Sequence, residues 1–491
     1  MKMVKSLLLG SAAGLMAVAG AQAADLPVKA KAVEYVKICS LYGVGYYYIP
    51  GTDTCIKIGG YVRFESYHNE VGGHYADRTP GGFPAGYFTR GSNTFGMQAR
   101  FRLTGDIRTQ TEYGTLRAYF AFGVNALNMG STQGANLTTN AVAMERAFIQ
   151  FAGFTIGRSD TFFAFYNGAA YGLVPMFTDG SSGPAGHNVF AYTWQFGNGL
   201  SASLSAEDSA ARIKPVVDLS ATDLFSGVSD RSGTKVPDIV GNLRVDQAWG
   251  SAQIMGGLAQ VSSQYFAGAP AGACLGNDTS CGHNSDKWGW GVGAGLTLKM
   301  PWDAKDTLSG VIAYAKGATG FVTHANGQNF VHKQGVATGV MTDAVFANPG
   351  VIAGYDGGLE LTEAWGGTIA FEHYWTPSLR TSWVFGYIKT EYSDTAKALI
   401  ARGGACDVGS RFTAVTSCDP DYSYWRLASR TMWNPVANLD IGVEVAYNKV
   451  DTAFGGAASL VGANGLAPGV YAVEDQSYWS GAIRVQRSFW P

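Results

Sequence analysis

Beyond residue 23, the 491-residue chain has no apolar run approaching the roughly 20 residues a membrane helix needs. A helical membrane protein is therefore excluded. Neither charge sign dominates: the formal net charge is −2, and removing Lys2 and Lys5 with a cleaved leader makes it −4. Nucleic acid is not an implied partner. The seven histidines include no His-Glu-x-x-His, and there is no Gly-x-Ser-x-Gly. Zinc-protease and serine-hydrolase chemistry thus lose their usual signatures, and no catalytic residue, metal ligand or cofactor site is expected. Gly291, Gly293 and Gly295 suggest a phosphate loop only superficially, because no helix follows and all three lie on one strand face. No low-complexity tract appears.

Cysteine is also scarce. The six residues Cys39, Cys55, Cys274, Cys281, Cys406 and Cys418 fall into three local pairs. About 15 connectivities are open in principle, as are unpaired thiols. The expectation is pairing between neighbours, because the chain is exported. Residues 1–23 carry Lys2 and Lys5, an apolar run from Leu7 to Ala19, and the small-residue site Ala21-Gln22-Ala23. That is the layout of a secretory signal peptide, and exported proteins keep disulfides.

What the chain has is alternation. In residues 95–108, Phe95, Met97, Ala99, Phe101, Leu103, Gly105 and Ile107 share one face, while Gln98, Arg100, Arg102, Thr104, Asp106 and Arg108 share the other. A period of two is a strand with two different surroundings. The pattern recurs in 58–65, 115–124, 145–151, 199–207, 288–298, 439–448 and 479–489. It is weaker near 154–158, 190–197, 239–246, 252–260, 307–315, 364–373, 379–388 and 424–433. Phe148, on the polar face of 145–151, interrupts the rule. The total is about sixteen strands at about 29 residues per strand and connection, which suits a membrane barrel of strands of about 10 residues with short turns and long loops. Lipid admits only helices or closed barrels, since backbone polar groups need internal partners. The expected fold class is all-β: a transmembrane antiparallel β-barrel over 57–491, preceded by a segment, 24–56, holding one disulfide. Trp288, Trp375, Trp433, Trp479 and Tyr447 fall near strand ends, where amphipathic rings meet the membrane interface.

Two sets of residues carry function. Arg63, Arg100, Arg102, Arg117 and Arg146 all belong to the polar faces of the first four strands, so they form one positive patch on a water-filled wall. Such crowding needs water or counter-charges. The patch either biases ion passage or is neutralised by loop carboxylates. The connection 160–189 starts Asp160, Phe162, Phe163, Phe165, Tyr166 and includes Asp179 and His187. So apolar a start suits a loop folded inward against the wall; a flap packed on a neighbouring subunit is the alternative.

The chain resembles the general porins of Gram-negative outer membranes, most closely the porin family of alphaproteobacteria of the Rhizobiales type. The resemblance rests on AVEYVKIC at 32–39, YGVGY at 42–46, YIPGTDTC at 48–55, GYVR at 60–63, PDIVG at 237–241, WGS at 249–251 and GAIRVQRSF at 481–489. It implies a sixteen-stranded barrel, a homotrimer in outer-membrane lipid, passive diffusion of small hydrophilic solutes and ions, and a third loop in the pore, carried onto 160–189. It also implies an aromatic final residue that the outer-membrane assembly machinery reads. This chain instead runs past Phe489 to Trp490 and Pro491. The rival reading is a channel selective for one anionic or sugar solute.

Overall fold

The computed structural model describes residues 37–68, 87–88, 95–128, 138–139, 142–165, 171–174, 186–220, 224, 229–266, 282–323, 327–332, 335–349, 354–406, 412–460 and 469–489. The expected leader, Cys274, Cys281, Asp179, Tyr166, Trp490 and Pro491 lie outside the described residues.

Among the described residues, sixteen long strands are β1 Thr54–His68, β2 Phe95–Thr111, β3 Gly114–Asn128, β4 Ala143–Phe151, β5 Phe154–Ser159, β6 His187–Gly197, β7 Leu200–Glu207, β8 Asp238–Gln247, β9 Gly250–Val261, β10 Lys287–Lys299, β11 Thr307–Lys316, β12 Glu363–Thr376, β13 Leu379–Glu391, β14 Tyr422–Trp433, β15 Leu439–Asp451 and β16 Gln476–Ser488. Every one coincides with an alternating segment of the sequence. Each pairs antiparallel with the next, and β16 returns to β1 in the register Tyr61↔Ser488 to His68↔Gly481. The sheet is a closed ring, with no unpaired long edge left in lipid. At the seam the Phe489 N–H donates to the Gly60 carbonyl at 3.0 Å. The Phe489 ring stacks on Phe101 at 6.4 Å.

Short turns lie at one end. Between β6 and β7, Asn198 and Gly199 both take positive φ, the conformation that matches strand twist in a two-residue hairpin. A Cβ on Gly199 would stand 1.9 Å from the Asp246 carbonyl oxygen, so no other residue fits. Long connections lie at the other end. Those spanning 208–237, 317–362, 392–421 and 452–475 meet in a dry cluster that includes Val217, Phe321, Met341, Leu399, Phe412 and Phe454. Cys406–Cys418 staples this cluster, and Cys39–Cys55 closes a loop at the short-turn end. Both are the neighbour pairings expected from spacing.

The outer face inverts the usual distribution of apolar side chains. Val62, Phe101, Ile156, Leu258, Ile312, Ile369, Val445 and Ile483 are all exposed. So continuous an apolar surface would be a liability in water and is the required one in lipid. Aromatic rings edge it: Tyr314 faces Trp365, Tyr387 faces Trp425, and Tyr447 faces Trp479 across neighbouring strands. Trp365 and Trp375 lie on the same face of β12, at its two ends. Their ten-residue spacing is about 33 Å of strand, or about 25 Å of membrane at the usual tilt. No described helix is long and apolar enough to cross a membrane.

Candidate pore wall and inward loop

The inner face of β1–β4 holds the arginines singled out from the sequence. Register places Arg63 opposite Arg100, and Arg108 opposite Arg117. Like charges directly opposite are destabilising, so counter-charges are needed. For Arg100, Arg102, Arg108 and Arg117 they come from strands; for Arg146 the carboxylate comes from the loop. Glu145 accepts from Arg102 Nε at 2.7 Å and also pairs with Arg100. Asp106 accepts bidentate pairs from Arg108, at 2.9 and 2.9 Å, and from Arg117, at 3.0 and 2.8 Å. Four guanidinium groups therefore share two carboxylates, an excess of two positive charges. Gly123 makes room for the first group: a Cβ there would meet Glu145 Oε1 at 2.8 Å and Arg100 Nη2 at 2.9 Å. Arg63 donates to Gln486 Oε1 at 2.8 Å.

Glu145 and Arg146 are adjacent, yet both point inward. The register of β3 and β4 shifts between Ala121 and Phe122, and this bulge breaks the alternation. Glu145 thus reaches the arginines, while Arg146 pairs with Asp160 at the start of the long connection. Phe148 has a physical role too. It stacks on Tyr119 at 5.2 Å, and the Arg117 guanidinium lies 5.1 Å from the Tyr119 ring and 5.4 Å from Phe148.

The described parts of the connection between β5 and β6, residues 160–165 and 171–174, lie against the rest of the inner wall. The Phe162 N–H donates to Glu207 Oε1 at 2.8 Å, and Asn242 Nδ2 donates to the Phe162 carbonyl at 2.6 Å. Phe163 is fully buried against Phe321, with ring centres 4.7 Å apart. Phe165 sits over Gly295, where a Cβ would lie 2.2 Å from its ring, and Phe321 sits over Gly257 and Gly291 in the same way. The glycines of β9 and β10 are thus the seat for inward aromatic rings. Further along, the Tyr171 hydroxyl meets Thr307 Oγ1 at 3.2 Å, and Ser382 Oγ donates to the Tyr171 carbonyl. The Leu173 and Val174 N–H groups both donate to Glu444, and Arg484 Nη2 donates to the Leu173 carbonyl at 2.9 Å. At its end, Gly186 returns beside Arg146. His187 is not part of the connection: it opens β6 and is buried.

A second arginine set escaped the sequence reading. Arg426 pairs with Glu444 at 2.8 Å, Arg430 with Glu372 at 2.6 Å, and Arg484 with Glu65 at 2.6 Å. These groups hold the wall beneath Tyr171–Val174. Their alternation in 424–433 and 479–489 was visible, but not their common neighbourhood. Among the described residues, no three His, Cys, Asp or Glu side chains gather as a metal site.

A model of the Porin subfamily matches residues 25–482 of the chain. Porin Omp2b of Brucella suis biovar 1 (strain 1330) is 35% identical over 256 residues, 50% of this chain and 64% of that protein. Porin Omp2b of Brucella abortus (strain 2308) is 34% identical over 259 residues, with the same coverage. The chain therefore spans just under two thirds of the length of these relatives. The outer membrane channel DcaP of Acinetobacter baumannii shares the fold, with a TM-score of 0.55 at 16% identity, covering 90% of this chain and 99% of that one.

Proposed function

Because the chain belongs to the Porin subfamily, we propose that it is a general diffusion channel, passing small hydrophilic solutes and ions through a water-filled lumen without energy coupling. It is a β-barrel of the outer membrane, and its family points to a channel rather than an enzyme. The observation that carries the proposal is the contrast around the lumen. Between β7 and β16 the described parts of the connection, 160–165 and 171–174, lie on the inner wall, while Arg100, Arg102, Arg108 and Arg117 keep side-chain exposures of 11–28%. Partly hydrated guanidinium groups in excess over carboxylates, Arg100 and Arg102 at one level and Arg108 and Arg117 nearer the short turns, orient polar solutes in a water-filled lumen and favour anions. In this reading Arg63, Arg100, Arg102, Arg117 and Arg146 line the pore. Asp160 sits at its edge, and Phe162 and Phe163 anchor the constricting loop, to which Asp179 also belongs. The working unit is a homotrimer in outer-membrane lipid, inserted by the outer-membrane assembly machinery.

Reconstitution into planar bilayers tests the proposal. A general channel gives single-channel conductance that rises in proportion to salt concentration and is indifferent to added sugars. The charge excess also supports a second reading, a channel selective for one anionic solute. Conductance that saturates, and that one organic anion blocks at low concentration, would favour that reading. No conductance at all would sink both.

A further inference from the structure

The short-turn mouth carries a feature the loop constriction does not explain. Cys55 and Lys57 alternate with the lipid-facing residues of β1 and lie opposite Arg108 and Asp106, so all four side chains point into the lumen. The disulfide from Cys55 therefore draws Cys39, and the segment 37–48 with it, onto the luminal side of the wall. There the Tyr42 and Tyr46 rings lie 5.6 and 5.3 Å from the Arg108 guanidinium. Lys57 Nζ donates to the Val44 carbonyl at 3.0 Å. Burial, together with a hydrogen bond to Asp106, pushes the Tyr46 phenol up to about 12. The segment is rigidly closed on itself: the Cys39 N–H donates to the Tyr46 carbonyl at 2.9 Å and the Tyr48 N–H to the Lys37 carbonyl at 2.8 Å. Ile38, Leu41 and Val44 project away from the wall and are exposed.

We propose that this disulfide-closed segment, residues 37–55, is a second constriction at the short-turn mouth, one that narrows the exit and, with Lys57, Arg108 and Arg117 around the single carboxylate of Asp106, favours small anions over larger or cationic solutes. The inference rests on the channel reading above. β1 is paired along its length with β2, and with β16 from Tyr61 onward; Tyr47 and Tyr48 pair with Ile56 and Cys55 on the edge that β16 leaves open, so the clip is seated on the rim of the ring and holds Tyr42 and Tyr46 at the mouth. It is also distinct from the loop level. Eight residues separate Arg100 from Arg108, about 27 Å of strand and about 20 Å along the pore axis at the usual tilt. With two filters in series, one at each level, how large a polymer can enter the lumen depends on the side of approach.

The test uses the full-length channel inserted in one orientation in a planar bilayer, with neutral polyethylene glycols of graded size added to one side at a time. The wild type is expected to admit larger polymers from the long-loop side than from the short-turn side. Two variants are compared, Cys39→Ala with Cys55→Ala, which frees the segment, and Tyr42→Ala with Tyr46→Ala, which keeps the disulfide and trims the rings. Loss of the asymmetry in either variant supports the second constriction. A conducting wild type with equal cut-offs from both sides, or an asymmetry that survives both variants, overturns it alone. Absence of conductance in the wild type would overturn the channel reading and this inference with it.

Discussion

Two arginine-bearing stretches of wall flank β1 inside this barrel, and they differ in cover and in balance. On β2 and β3, Arg100, Arg102, Arg108 and Arg117 share Glu145 and Asp106, with side-chain exposures of 11–28%. On β14 and β16, Arg426, Arg430 and Arg484 each have a carboxylate, Glu444, Glu372 and Glu65, and exposures of only 4–9%. The first wall keeps surplus charge in contact with water, where a field acts on passing ions. The second is neutral and dry, and its charges are used up in holding the loop: Glu444 accepts two loop N–H groups and Arg484 donates to a loop carbonyl. In the proposed reading the same residue type serves conduction in one stretch of wall and architecture in the other. What decides between them is whether the loop covers the wall.

The contrast is open to direct attack, and the covered wall should respond most. Glu444→Gln removes the charge partner of a buried Arg426 and weakens two of the loop's hydrogen bonds. Breaking such a pair costs about 3–5 kcal/mol, read as a lower thermal midpoint by circular dichroism, with a noisier open channel. An unchanged midpoint would mean the loop is not held there. Gly295→Leu comes next. It drives a side chain into the seat of Phe165, and overpacking of this kind costs about 1–3 kcal/mol. The expected readouts are a lower midpoint and an altered conductance; wild-type behaviour in both would show that the ring does not need its seat.

The open wall should respond in selectivity more than in stability. Arg100→Gln with Arg102→Gln removes two charges about 8 Å from a passing ion. In water screened by about 0.1 M salt that is about 0.5 kcal/mol together for an anion and the opposite for a cation, so the anion-to-cation permeability ratio should fall about fivefold. An unchanged reversal potential would mean these two groups do not set selectivity. Glu145→Gln acts in the opposite direction and on one charge only. The ratio should rise about twofold, and a fall would contradict the assignment of Glu145 as the counter-charge.

The barrel itself was legible because each strand touches two solvents at once. Lipid on one side and water on the other force a period of two on every segment, strongly in β2 and β15 and weakly in β14. The counter-charge Glu145 was not legible, because a bulge turns it and Arg146 to the same side, and alternation cannot signal its own interruption. Phe148 interrupts the polar face for a different reason: it keeps the register and supports Arg117 from within the lumen. Gly291 and Gly295 read only as glycines sharing one strand face. What they make room for, Phe321 and Phe165, lies in connections far away in the chain. The covered wall was least legible of all: Arg484 and Glu65 are 419 residues apart, and their burial exists only once the loop is laid over them. Cysteine spacing paired Cys39 with Cys55 but did not show that Cys55 faces the lumen, which is what brings the clip to the mouth.

The uncompensated charge of the open wall is the centre of the proposed function, and the reversal potential of the wild-type channel across a tenfold potassium chloride gradient measures it most directly. A potential displaced toward the chloride equilibrium value is expected from four guanidinium groups sharing two carboxylates. A potential at zero, or displaced toward potassium, would contradict it.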